Sequence, residues 1–232
     1  MAVAPTSLDP FTSDLMGLDP PDAVRYSVRG LEDADMLVIT HSLIKAGAGF
    51  LRTINLSMNL ISDGGAVALS RVLQSAPGLN QLLLHENRIG NEGLEALARA
   101  MHAGAASQIS ELRLSFNRIG DSGAASIARA WGQGGGCNLK QLHLACNLIG
   151  DAGAVAIANA LHNAPKIEVL SFGSARGGNR VNDAGARALA GAVCAHVQSS
   201  MALHLKLNPI SAVVLMEVDA AMSARKPLIS FE

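Results

Sequence analysis

The sequence predicts a curved α/β solenoid, with short parallel strands on its inner face and helices on its outer face. Three observations predict it. A unit of about 30 residues recurs along the chain, as in "LLHENRIGNEGLEALARA", "LSFNRIGDSGAASIARA" and "LACNLIGDAGAVAIANA". Within each copy the apolar period changes from two to the helical value. A strand-helix unit of this size cannot bury its apolar face alone, whereas a stack of such units forms a continuous core.

An asparagine marks each full copy: Asn59, Asn87, Asn117, Asn147, Asn179 and Asn208, separated by 28, 30, 30, 32 and 29 residues. Copies start at about 51, 79, 109, 139, 167 and 200 and follow L-x-x-L-x-L-x-x-N-x-I-G-D-x-G-A-x-A-L-A-x-A-L. The alternating apolar pairs Ile54/Leu56, Leu82/Leu84 and Leu112/Leu114 predict a strand with one apolar face. Ala66, Leu69 and Leu73 then fall at helical spacing, as do Ala124, Ile127 and Trp131. Asp63, Asp121, Asp151 and Asp183, with Asn91, are expected just before each helix, as N-cap candidates. A glycine follows each by two places, where close packing on the neighbouring turn leaves no room for a Cβ. Strands about 4.8 Å apart stack more tightly than helices about 8–10 Å apart, so the stack bends with its strands inside.

These motifs closely resemble leucine-rich repeats of the ribonuclease-inhibitor type. The resemblance covers about residues 22–232 and implies a solenoid that binds macromolecules. Relatives of that type include Ran GTPase-activating proteins and the sensor halves of innate immune receptors.

The ends depart from the pattern. Residues 21–50 read as a degenerate capping repeat, with Val24 and Tyr26 as strand residues, Asp33 at the helix start and Arg29 in the asparagine place. Together with the Met start, this suggests a complete product. Residues 1–20, rich in Pro, Asp and Ser, read as a flexible lead, or as an arm that orders on a partner through Phe11, Leu15, Met16 and Leu18. Residues 228–231 fall where one more strand begins, an edge that is either tolerated or covered by a partner. The domain reading is therefore an arm at 1–20 and a repeat domain at 21–232.

Composition narrows the function. A net charge of −1 supplies no field to draw nucleic acid or an anionic membrane. No stretch approaches the roughly 20 apolar residues of a membrane span. The first residues lack the basic and apolar regions of a signal peptide. Three cysteines without a pairing pattern fit a reducing, intracellular compartment, here read as cytoplasmic and open to cytoskeletal or ciliary association.

No catalytic constellation, cofactor motif or metal site is legible. His85, His143 and His204 share the inner face, but His143 and His204 stand two strands apart, roughly 10 Å, too far to ligate one ion. Cys146 has no base or acid set around it. The Gly-rich run from Gly132 lacks the Lys-Ser/Thr of a phosphate loop. The asparagine series reads as an internal hydrogen-bond ladder rather than a recognition surface.

Candidate partner-binding residues lie on the concave face: Asn55, Leu83, Arg113, His143 and His204 between the strand leucines, with His85 and Lys206 one place outward. Beyond them come Met58, Glu86, Phe116 and Cys146, which with Leu207 make an interrupted apolar row. Arg88, Arg118 and Arg180 follow the asparagines and, with Arg113, make a modest basic edge suited to an acidic segment. "FGSARGGNRVNDAG" inserts four residues before Asn179, so Gly173–Arg180, including Arg176, reads as a mobile recognition loop or as a neutral insertion. Uncharged helix positions (Ala125, Ala152, Val155, Ala184) hint at a covered convex face. The leading reading is a non-enzymatic protein-binding scaffold, a reading that includes a structural subunit of a larger assembly, with protein partners and no small-molecule substrate. The alternatives are a Ran-type GTPase-activating protein and the ligand-sensing module of a receptor.

Overall fold

The computed structural model describes residues 22–102, 108–135, 137–197 and 200–225. Among these residues seven strands form one parallel sheet in chain order: β1 (Ala23–Arg25), β2 (Thr53–Asn55), β3 (Gln81–Leu83), β4 (Glu111–Arg113), β5 (Gln141–His143), β6 (Val169–Ser171) and β7 (Ala202–His204). A helix follows each: α1 (Asp33–Ala46), α2 (Asp63–Gln74), α3 (Asn91–His102), α4 (Asp121–Gly132), α5 (Asp151–Ala160), α6 (Asp183–Ala195) and α7 (Ala212–Arg225). Each helix packs on the next, so sheet and helix layer run side by side as an arc with the strands on its concave face.

Register follows from the repeat. The central strand residues Val24, Ile54, Leu82, Leu112, Leu142, Leu170 and Leu203 pair in one row. The first six are wholly buried, and Leu203, in the last described strand, is partly exposed. The next strand position forms a second row, Arg25, Asn55, Leu83, Arg113, His143, Ser171 and His204, which faces the opposite way as period two requires. Aromatics are 3 % of the chain, so Leu, Ile, Val and Ala fill most of the core. Trp131 and Phe172, the largest wholly buried side chains, fill places held in most other repeats by leucine.

The asparagines form the expected ladder. Asn87 Nδ2 donates to the carbonyls of Leu56 (2.9 Å) and Leu84 (3.1 Å), and its Oδ1 accepts the Ile61 N–H (3.1 Å). Asn117 and Asn147 repeat this pattern one and two turns on. Each therefore satisfies backbone groups that no strand or helix pairs, in a place closed to water.

The aspartates differ from the sequence expectation. Asp63, Asp121, Asp151 and Asp183 are the first helical residues, not residues before the helix, and they cap the helix of the next repeat. Asp63 Oδ1 accepts the N–H groups of Gly90 (2.7 Å) and Gly93 (2.8 Å). Asp121 does the same for Gly150 (2.7 Å) and Gly153 (2.9 Å), and Asp151 for Asn182 (2.7 Å) and Gly185 (3.1 Å). Asn91 Oδ1 takes the part for Gly120 and Gly123. The close approach requires the glycines: a Cβ on Gly153 would stand 2.7 Å from Asp121 Oδ1 and 2.8 Å from Ile149 Cγ2. Among the described residues no repeat precedes helix α1. Its own Asp35 carboxylate accepts the Glu32 N–H at 2.8 Å, half of a capping box.

Buried Val24 and Tyr26 place residues 22–50 in the same stack, and Asn59 Oδ1 accepts the N–H groups of Arg29 and Leu31 where that turn lacks its own asparagine. The expected arm at 1–20 and strand at 228–231 lie outside the described residues.

Candidate binding surface

The concave surface is built from the second strand row and the turn that follows it. Arg113, His204 and Lys206 are exposed, and Asn55, Leu83, His85 and His143 are partly exposed. Arg113 pairs with Glu111 two residues back on the same strand. It stands in the inner strand row, whereas Arg88 and Arg118 follow the asparagines.

One position per turn carries a backbone cost. Val28, Met58, Glu86, Phe116, Cys146 and Leu207 have φ of 56–59°, the left-handed region that disfavours side chains. The cost is about 1–2 kcal/mol per residue, which glycine would avoid. Met58 (46 % exposed) and Leu207 (65 %) point into solvent, so core packing does not explain them.

The apolar row is not open throughout, because the inserted segment folds over its middle. Phe172 stands seven residues before Asn179, against three for the equivalent pairs of other repeats. The extra residues close a tight turn in which the Ser174 N–H donates to the Gly177 carbonyl (2.9 Å). The turn lies back toward the N-terminal repeats. Ser174 Oγ is 3.9 Å from Cys146 Sγ, and Arg176 stacks over the Phe116 ring at 4.4 Å. Arg176 Nη1 donates to Glu86 Oε1 at 2.9 Å. Phe116, Cys146 and Glu86 are thus only partly exposed. Sequence reading missed this contact, since Glu86 and Arg176 are 90 residues apart. The available signal was the run of glycines in the insertion.

Burial and a nearby cation disfavour the charged forms of His85 and His143. Burial pushes the His85 and His143 imidazoles below the usual histidine range, and the Arg113 guanidinium adds to the effect in both. His85 Nδ1 is buried and has no hydrogen-bond partner among the described residues. No group of three or more His, Cys, Asp or Glu is placed to hold a metal among the described residues.

Arg88 and Arg118 project side by side on the rim, where they line a cleft of about 370 Å³ with Glu32, Asp33 and Leu60. The rim there is mixed in charge rather than basic. Arg180 is exposed two repeats on, beyond the exposed Leu148. A wider groove, about 900 Å³, opens past β7 between Leu203, Leu205 and Leu207 and the α7 residues Leu215 and Val218.

A Leucine Rich repeat family model matches residues 50–70, 79–98, 109–128 and 137–158. These four stretches therefore match leucine-rich repeats, and the fold is that of a leucine-rich-repeat arc. An internalin of Listeria monocytogenes has the same fold, with a TM-score of 0.51 and 18 % identity over 87 % of this chain. The match covers 44 % of that internalin, so this chain spans less than half its length. Leiomodin-1 actin-binding site 2 aligns with a TM-score of 0.49 and 18 % identity, over 69 % of this chain and 91 % of that one. No curated protein sequence matches.

Proposed function

We propose that this chain is a non-catalytic protein-binding scaffold of the ribonuclease-inhibitor type of repeat, and that its concave face receives the partner. The observation that carries this reading is the left-handed row. Six turns hold a non-glycine residue at a position glycine would fill at lower cost, and the side chains at Met58 and Leu207 reach solvent. A strained side chain that packs against nothing internal is best accounted for by an external contact.

Exposed His204 and Lys206 extend the face to the last described strand. The inner charges are largely matched within the chain, Arg113 by Glu111 and Arg176 by Glu86, which favours a protein partner over the uniform charge of nucleic acid or a lipid surface. The three cysteines are free thiols, consistent with a reducing cytoplasm and with a place in an intracellular assembly.

The test is capture of partners by the tagged chain from native extract, beside Met58→Asp and Lys206→Glu. Partners retained by the unaltered chain and lost from both variants support the concave face. Partners retained by both variants move the contact to the helices or the rim. Nucleotide-dependent recovery of a small GTPase supports the activator reading instead.

A further inference from the structure

The inserted turn has a fixed base and an exposed tip. Its base is wedged between two repeats. A Cβ on Gly177 would stand 2.7 Å from Cys146 Sγ, and one on Gly173 or Gly178 would overlap the backbone of Lys206 or Leu207. Gly173 and Gly178 are thus required by close approach of backbone, while Gly177 abuts only the Cys146 side chain. The tip is different: Ala175 and Arg176 are exposed, and the Arg176 side chain (66 % exposed) is held only by Glu86 and the Phe116 face. Contacts of this exposed kind each shift an equilibrium by less than about tenfold.

What Arg176 touches is a complete receptor for a cation. Glu86 supplies a carboxylate and Phe116, one repeat on, supplies an aromatic face. Both residues stand on left-handed backbone that the neighbouring turns hold, the Glu86 N–H donating to the Ser115 carbonyl and the Phe116 N–H to the Ala145 carbonyl at 2.9 Å each, with no backbone bond from the inserted tip. We propose that Glu86 and Phe116 form a receiving site for an arginine or lysine side chain of a partner protein, occupied in the free chain by Arg176 as a displaceable stand-in. A basic segment would displace the tip without disturbing the wedged base. The inference rests on the concave-face reading and names the chemistry of its central subsite.

The test uses the full chain and its Arg176→Gln and Arg176→Gln/Glu86→Gln variants. Each is titrated with a fluorescent Arg-Gly-Ser repeat peptide and with the same peptide carrying citrulline, which has arginine's shape without its charge. Melting curves confirm that the variants are folded. Removing Arg176 should tighten the arginine peptide roughly three- to tenfold and leave the citrulline peptide unchanged, and Glu86→Gln should abolish the gain. Unchanged or weaker binding by Arg176→Gln overturns the proposal, as does a gain that survives Glu86→Gln or is shared by citrulline. If Met58→Asp abolishes partner capture while Arg176→Gln gains nothing, the stand-in falls and the concave face stands. The reverse pair of results removes the broader reading and keeps the cation site.

Discussion

The carboxylate of Asp63, at the start of α2, accepts the N–H of Gly93, in the first turn of α3, at 2.8 Å. Helices α2 to α7 are each capped in this way by a residue at the start of the helix before. A bond that ordinarily stabilises a single helix here couples adjacent repeats, and the glycine exists because the carboxylate needs its space. The Asp33 carboxylate shows the strength of the arrangement. Burial works to raise its pKa, but the Ser62 hydroxyl and the N–H groups of Ser62 and Gly65 outweigh it and hold it below the usual range.

Gly153→Ala should destabilise the chain by about 1–3 kcal/mol, because the added methyl overlaps Asp121 and Ile149. Helix propensity alone gives the opposite sign, a gain of about 1 kcal/mol. Gly191→Ala in α6 meets open space and should show that gain. Urea unfolding of both variants compares the two signs directly.

Asn91→Asp should stabilise the chain by about 0.5–1 kcal/mol. The neutral amide oxygen already accepts the Gly120 and Gly123 N–H groups, and a carboxylate would accept them with charge at a helix N-terminus. The gain should shrink in high salt, which denaturation with and without added salt would show.

Stability should fall as pH drops below about 6.5. The folded pKa values of His85 and His143 are depressed and the unfolded values lie near 6.5, so the unfolded chain binds more protons in the window between. The contribution is fully present above the unfolded value and lost as pH falls through the folded values. His85→Gln/His143→Gln should flatten the slope of unfolding free energy between pH 7 and pH 5. An unchanged slope would assign the pH dependence to other groups.

The repeat period, the strand row and the asparagine ladder are legible in the sequence because each depends on spacing within one unit, and stacking multiplies the signal. The aspartates are legible as helix-start residues but not as caps of the next helix. A cap within one repeat and a cap across two use the same residue types in nearly the same place. The site is less legible. That Met58 and Leu207 reach the inner face follows from counting, but the left-handed strain that sets them there does not. The direction in which Gly173–Arg180 folds depends on room beside Cys146 and under Lys206, which no local pattern records. Arg176, expected at the tip of a loop, instead closes over two of the residues expected to be open.

The central claim is that left-handed side chains are kept on the concave face for contact and against stability. Met58→Gly tests it most directly, read by urea unfolding and by capture of the partner that the unaltered chain retains. The expected result is a gain of about 0.5–1 kcal/mol in stability, from relief of strain less the flexibility glycine adds to the unfolded chain, together with loss of capture. A variant that captures its partner undiminished, or that is less stable than the unaltered chain, would contradict the claim.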